Sequence, residues 1–270
     1  MLRIAGDEIV IDTQWLVLGD SVSKGIVLNE SNGRYEKSEQ SFITLVADKS
    51  GATVKNLSMF GATVKKGLDL FERHQADINE QGLAILEFGG NDCDFLWPEI
   101  SEQPEREHVP NIPFEKFHNL YQALIEKCKA KGLMPVLLSL PPLDADRYFA
   151  TFSKKLDKEN LLRWLQGTTR TIYQWHEAYN ATIAVLAQET KSFYLDIRRP
   201  FLLSKQPEDY ICSDGIHPNQ KGHRLIADFV IQRLSRLEAS VRVSVNEFTF
   251  GANSHLVPGT ERELAQKENS

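Results

Sequence analysis

The sequence predicts an α/β domain built on a mainly parallel, five-stranded sheet. Five short apolar runs recur along the 270 residues, stretches of helical spacing separate them, and turn-forming Gly, Asp, Asn or Ser residues follow several of the runs. Strands that alternate with helices in this way are βα units. The chain is long enough for one large domain with a sizeable core, and its 41% apolar and 25% charged residues are ordinary for a globular protein.

The first run, Trp15 to Leu18, reads as a buried strand that leaves through Gly19-Asp20-Ser21. Helical spacing covers Ser38 to Lys49. The second strand is Thr53 to Leu57, and a helix follows from Ala62 to Ile78. The third, "LAILEF", spans Leu83 to Phe88, with a helix at Phe114 to Lys131. The fourth spans Met134 to Leu140, with one long helix at Asn160 to Glu189. The fifth is Phe193 to Ile197. A last helix runs from Asn219 to about Leu237, with Asn219 as N-cap after Pro218.

Residues 93–113 and 142–157 are too long for tight connections. Both follow carboxyl ends of strands, where open α/β sheets bind ligands, so they are expected to wall or cover a pocket. The domain is expected to span residues 1–238. In the remainder, 239–270, the alternating "VRVSVNEFTF" reads as an added edge strand, followed by a polar tail expected to be disordered.

The net charge of −6 gives no reason to expect nucleic acid as a partner. No run approaches the ~20 apolar residues of a membrane helix, and "MLRIAGDEIVID" lacks the apolar core of a secretory signal. Cys93, Cys128 and Cys212 lie far apart with no CxxC pair, so free thiols and a cytoplasmic location are expected.

The strand ends carry the chemistry. In a parallel sheet they face one edge, which brings together Ser21, "NLSMFGAT" with Gly61, "FGGND" with Asn91, and "SDGIHPNQKGH" with Asp214 and His217. These are the parts of acyl transfer. A serine hydroxyl needs a base, His217 can be that base, and Asp214 can fix its tautomer. Donors for the resulting oxyanion could come from the Ser21 N–H, the Gly61 N–H and the Asn91 amide.

The same residues resemble the four blocks of the SGNH, or GDSL-type, hydrolase superfamily. "GDSVSKG" is similar to the first block, Gly61 to the second, "GGND" to the third and "DGIHPNQKGH" to the last, in order from Gly19 to His223. The resemblance implies a flavodoxin-like, three-layer α/β/α sandwich. It also implies a serine esterase with Ser21, Asp214 and His217 as triad, and Ser21, Gly61 and Asn91 as oxyanion donors. The expected substrate is a small-molecule or carbohydrate ester, with no metal or organic cofactor. Lysophospholipase, thioesterase and acyltransferase are alternatives within the family, and an inactive binding protein is the alternative outside enzymes.

Competing readings are weaker. Ser21 alone could be a plain turn residue, and Asp20 is expected to accept backbone N–H bonds there. Ser23 lacks the strand-end position. His223 lies in a helical pattern and is expected to pack or cap. His74, His108, His118, His176 and His255 are expected at the surface. Asp92 is expected to orient the Asn91 loop, because a two-metal site would need more histidines. No GxSxG elbow is present. Cys93 has no evident base beside it. The Trp164–Trp175 stretch is expected in the core, and Trp97 is the candidate substrate contact.

Overall fold

A computed structural model describes residues 2–5, 8–11 and 14–233. Two strands, β1 (Leu2–Ala5) and β2 (Glu8–Ile11), pair as an antiparallel hairpin. The central sheet starts with β3 (Gln14–Gly19), which passes directly into a single-turn helix α1 (Ser21–Lys24). A second hairpin follows, β4 (Ile26–Asn29) and β5 (Arg34–Lys37), then α2 (Phe42–Ser50), β6 (Thr53–Asn56) and α3 (Val64–His74). Next come β7 (Gly82–Glu87), α4 (Trp97–Glu102), α5 (Phe114–Ala130) and β8 (Leu133–Leu138). The chain continues through α6 (Ala145–Phe152), α7 (Lys158–Trp164), α8 (Arg170–Glu189), β9 (Phe193–Leu195) and α9 (Arg199–Leu202). Residues 220–233 are helical.

The five-stranded sheet has the order β6-β3-β7-β8-β9, and every pairing in it is parallel. Counted along these five strands the order is 2-1-3-4-5, the flavodoxin-like arrangement, whose ligand crevice opens where the order reverses. That switch point lies between β3 and β7. Leu16, Leu18, Ala84 and Leu86 point to one face and form the main core with residues of α3, α5 and α8. The alternate residues Trp15, Val17 and Ile85 are also buried. Side chains alternate across a strand, so the sheet is covered on both faces.

All five expected strands are present. The expected helix from Asn160 to Glu189 is two helices, α7 and α8. The chain turns at Gln166 and Gly167, with φ of 58° and 80°, in the left-handed region that a continuous helix does not visit. Asn219 caps the last helix as expected, its Oδ1 accepting the N–H groups of Lys221 and Gly222 at 2.9 and 3.0 Å. The expected edge strand within "VRVSVNEFTF" lies outside the described residues. The β4–β5 hairpin is an addition; its signal was the Asn32-Gly33 turn between two short apolar-polar stretches.

The segments 93–113 and 142–157 fold rather than loop, each carrying a helix, α4 and α6. Their apolar residues gather with those of α7 and α8 in a second cluster containing Phe95, Trp97, Ile100, Leu161, Leu165 and Ile172. Partly buried polar bonds centred on Asp94 join the two segments. The Trp97 Nε1–H and the Tyr148 hydroxyl donate to the two oxygens of Asp94, at 2.8 and 2.7 Å. No helix among the described residues is long and apolar enough to cross a membrane.

Candidate active site

Ser21 is the first residue of α1, directly beyond β3. The turn into it is tight. A Cβ on Gly19 would lie 2.7 Å from Ser23 Cβ and 2.9 Å from the Glu87 carbonyl, so only glycine fits there. Asp20 caps α1 by accepting the Val22 N–H at 2.8 Å, the backbone role expected of it.

His217 and Asp214 come from a loop closed by the Ile211–Pro218 bridge and by the Cys212 N–H donating to the His217 carbonyl at 2.8 Å. Asp214 Oδ1 accepts the N–H groups of Ile216 and His217 at 3.0 and 3.1 Å, while its Oδ2 lies 2.6 Å from His217 Nδ1. Burial alone would raise the Asp214 carboxyl. The hydrogen bond and charge of His217, with the two backbone donors, outweigh burial and hold it below the usual carboxylate range. A carboxylate can only accept, so Nδ1 carries the proton and Nε2 presents its lone pair. Ser21 Oγ stands 2.9 Å from that Nε2 and donates to it. All three side chains are buried.

Gly61 lies in the turn before α3 with φ of 70°, a conformation glycine adopts without strain. The Met59 N–H donates to the Gly19 carbonyl at 3.1 Å, which fastens this turn to the end of β3. Asn91 follows β7. Its Nδ2 donates to Asp20 Oδ2 at 2.8 Å and to the Ala62 carbonyl at a longer 3.3 Å. Asn91 is thereby tied to both the serine turn and the residue after Gly61. Asp92, expected to orient the Asn91 loop, is fully buried and its Oδ1 accepts the Val64 N–H at 2.9 Å, which ties that loop to the start of α3. Burial, with the charge of Asp20 adding to it, pushes its carboxyl up to about 7.

A cavity of about 80 Å³ opens on Ser21, Asn91 and His217. Gly61 is not among its lining residues; Trp97 is. Trp97 is 5% exposed and stacks on Phe152 with ring centroids 4.2 Å apart, so it serves as packed wall as well as lining. Trp164 and Trp175 pack partly buried against the second cluster, and Trp175 also reaches the cavity.

Two residues near the site were not expected. The Tyr35 and Phe60 rings lie 5.1 and 5.8 Å from the His217 ring. Both are bulky, exposed apolar residues on loops or hairpins, and only their meeting at His217 gives them meaning. His176 corrects the surface assignment: it is buried in α8, and burial together with the Arg198 charge lowers it to about 3. His74, His108 and His118 are partly exposed; His255 lies outside the described residues. His223 packs, as expected, its ring stacked on Phe42 and its Nδ1 accepting the Phe42 N–H at 3.4 Å. Cys93 is buried, and burial raises its thiol well above the ordinary value, which makes it a poor nucleophile.

Comparison with known proteins agrees with this architecture. Among solved structures, the chain is similar to a lipase/acylhydrolase from Enterococcus faecalis, with a TM-score of 0.57 and 16% identity over 82% of this chain and 95% of that one. A psychrotrophic esterase from Pseudoalteromonas gives 0.52 and 19%, covering 84% and 98%. An acetyl-xylooligosaccharide esterase from Geobacillus gives 0.54 and 17%, covering 83% and 94%. These likenesses show the fold. No curated protein sequence matches the chain. The model of the GDSL-like lipase/acylhydrolase family matches residues 17–225, from the middle of β3 to the helix after His217. With most of its length inside that match, the chain belongs to the GDSL-like lipase/acylhydrolase family, a family of ester hydrolases.

Proposed function

We propose that the protein is a serine esterase that cleaves short-acyl carboxylic esters through an acyl-enzyme. The observation that carries this reading is the continuous contact from Ser21 Oγ to His217 Nε2 at 2.9 Å and from His217 Nδ1 to Asp214 Oδ2 at 2.6 Å. Ser21 Oγ attacks the ester carbonyl as its proton passes to His217 Nε2. Asp214 stabilises the imidazolium that forms. The new oxyanion is received by the N–H groups of Ser21 and Gly61 and by Asn91 Nδ2, whose longer bond to the Ala62 carbonyl is the one to yield. Collapse expels the alkoxide, which takes the proton from His217. A water molecule, deprotonated by His217, then releases the acid by the same steps.

The size of the cavity favours a small acyl group. A dry cavity of about 150 Å³ holds a benzene ring. The 80 Å³ beside Ser21 therefore suits about three or four heavy atoms. Leu140, Pro141 and Ile172 give it apolar walls. An O-acetyl group on a carbohydrate or small metabolite fits this description, and the fold shared with an acetyl-xylooligosaccharide esterase makes acetylated sugars the first class to examine. Three buried free thiols, Cys93, Cys128 and Cys212, suit a reducing compartment, so we place the protein in the cytoplasm.

A series of p-nitrophenyl esters of increasing chain length, run beside acetylated sugars, tests the reading. kcat/KM should peak at two to four acyl carbons and fall beyond. A maximum at long chains would contradict the small-acyl assignment.

A further inference from the structure

Beneath Ser21 lies a carboxyl pair that the hydrolytic steps leave without a task. Glu87 ends β7 and Asp20 caps α1, and both line the cavity. They are 1% and 3% exposed. Glu87 Oε2 accepts the Ser23 hydroxyl at 3.0 Å and the Ser23 N–H at 3.3 Å. Glu87 Oε1 is buried and receives no donor. Gly19 stands opposite Glu87 in the β3–β7 register, which sets the Asp20 carboxyl next to Glu87 at the wall of the same cavity. Asp20 itself accepts the Val22 N–H on Oδ1 and Asn91 Nδ2 on Oδ2, each at 2.8 Å.

Two adjacent carboxylates in a buried site do not both ionise. Burial and the Asp20 charge push Glu87 well above the usual carboxylate range. Burial raises Asp20 as well, but less than Glu87, because the Val22 N–H, a hydrogen bond from Glu87, the His217 ring and the Asn91 amide all favour its charged form. The other titratable groups facing the pair agree with a proton on Glu87. Asp92, itself raised by burial, faces Asp20 from the loop after β7, and Tyr121 faces Glu87 from α5 and is kept neutral by burial, so neither offers a positive charge that would hold Glu87 ionised. A protonated Glu87 also removes the unpaired oxygen of the Glu87–Asp20 pair, because Oε1–H becomes a donor to Asp20.

We propose that Glu87 is a positioning residue: a neutral acid whose Oε1–H donates to Asp20, fixing the carboxylate that holds Asn91 Nδ2 at the oxyanion site. The proton stays on Glu87 throughout turnover, and no covalent bond to it forms or breaks. The proposal rests on the reading of Asn91 as an oxyanion donor. It makes glutamine the conservative replacement, since an amide N–H can donate to Asp20 while the amide oxygen still accepts from Ser23.

The test combines a spectroscopic and a kinetic readout. The protein is labelled with carbon-13 at its glutamate carboxyl carbons, and Glu87→Gln identifies the Glu87 resonance. That resonance should stay at a protonated-carboxyl shift from about pH 5 to about pH 8, well above where an ordinary glutamate ionises. With p-nitrophenyl acetate, Glu87→Gln should keep kcat within about threefold. Glu87→Leu should lower kcat by at least about tenfold with little change in KM, because a lost positioning contact acts on the transition state. An ionised Glu87 at pH 7, or a Gln variant as slow as the Leu variant, overturns the proposal. Should the Leu variant not fold, the resonance and the Gln variant still decide. An unchanged kcat in Asn91→Ala would sink the underlying reading of Asn91 instead, and the carboxyl resonance, which does not depend on turnover, separates that failure from this one.

Discussion

The ring of Tyr35 lies 5.1 Å from the ring of His217, so a hairpin outside the central sheet touches the imidazole of the site. Tyr35 comes from β5, and Phe60, 5.3 Å from Tyr35, comes from the turn that carries Gly61. Aromatic contacts of this kind are worth about 0.5–1.5 kcal/mol. Partial burial, with the charge and hydrogen bond of Asp214 adding to it, raises the Tyr35 hydroxyl to about 12, so the residue stays neutral. Tyr35→Ala should lower kcat by about twofold to tenfold through a less fixed imidazole, while Tyr35→Phe keeps it. Steady-state kinetics of the two variants check this, and equal losses in both would assign the effect to the hydroxyl instead.

Asp214→Asn keeps the size of the side chain but can present an amide N–H to His217 Nδ1. The imidazole would then turn its proton toward Ser21 and could no longer serve as the base proposed for it. A fall in kcat of about 10⁴ is expected, as for the same exchange in other serine hydrolases. His223→Ala, by contrast, changes a packing residue remote from Ser21 Oγ in the hydrogen-bond order and should retain most activity. A loss in His223→Ala matching that in Asp214→Asn would reassign the base.

Asn91→Ala removes one of three expected oxyanion donors. kcat should fall by about 10²–10³ with KM nearly unchanged. A rise in KM at constant kcat would make Asn91 a ground-state binding residue.

The buried Asp92 carries a pH signature. Burial raises its carboxyl from the ordinary 3.8 to about 7 in the fold, so the native state prefers its protonated form. The associated stability is fully present below about pH 4 and is lost as pH rises toward 7, at up to about 1.4 kcal/mol per pH unit. Asp92→Asn keeps an acceptor for the Val64 N–H and replaces the unpaired Oδ2 with an uncharged group. Its melting temperature relative to wild type should therefore rise between pH 4 and pH 8, by several degrees. A difference independent of pH would show that Asp92 ionises normally in the fold.

Much of this was legible in the sequence because the βα pattern and the strand-end residues belong to one physical arrangement. Five apolar runs place five parallel strands, and a parallel sheet puts Ser21, Asn91, Asp214 and His217 at one edge whatever the helices do in detail. The break at Gln166-Gly167 was hidden because the apolar spacing on either side is helical, and only backbone φ reveals the turn. The contacts of Tyr35 and Phe60 with His217 join residues about 180 and 157 positions apart by chain number, a pairing that no local pattern encodes. Glu87 did leave a signal. An acid inside the apolar run "LAILEF" has to be buried with a strand, and a buried acid needs a partner.

The most direct test of the central claim is covalent labelling. A fluorophosphonate probe, followed by peptide mass spectrometry, should place one adduct per chain on Ser21, and the Ser21→Ala variant should take up no label and show no burst of p-nitrophenol from p-nitrophenyl acetate. An adduct on another residue, or a Ser21→Ala variant with wild-type turnover, would contradict the account.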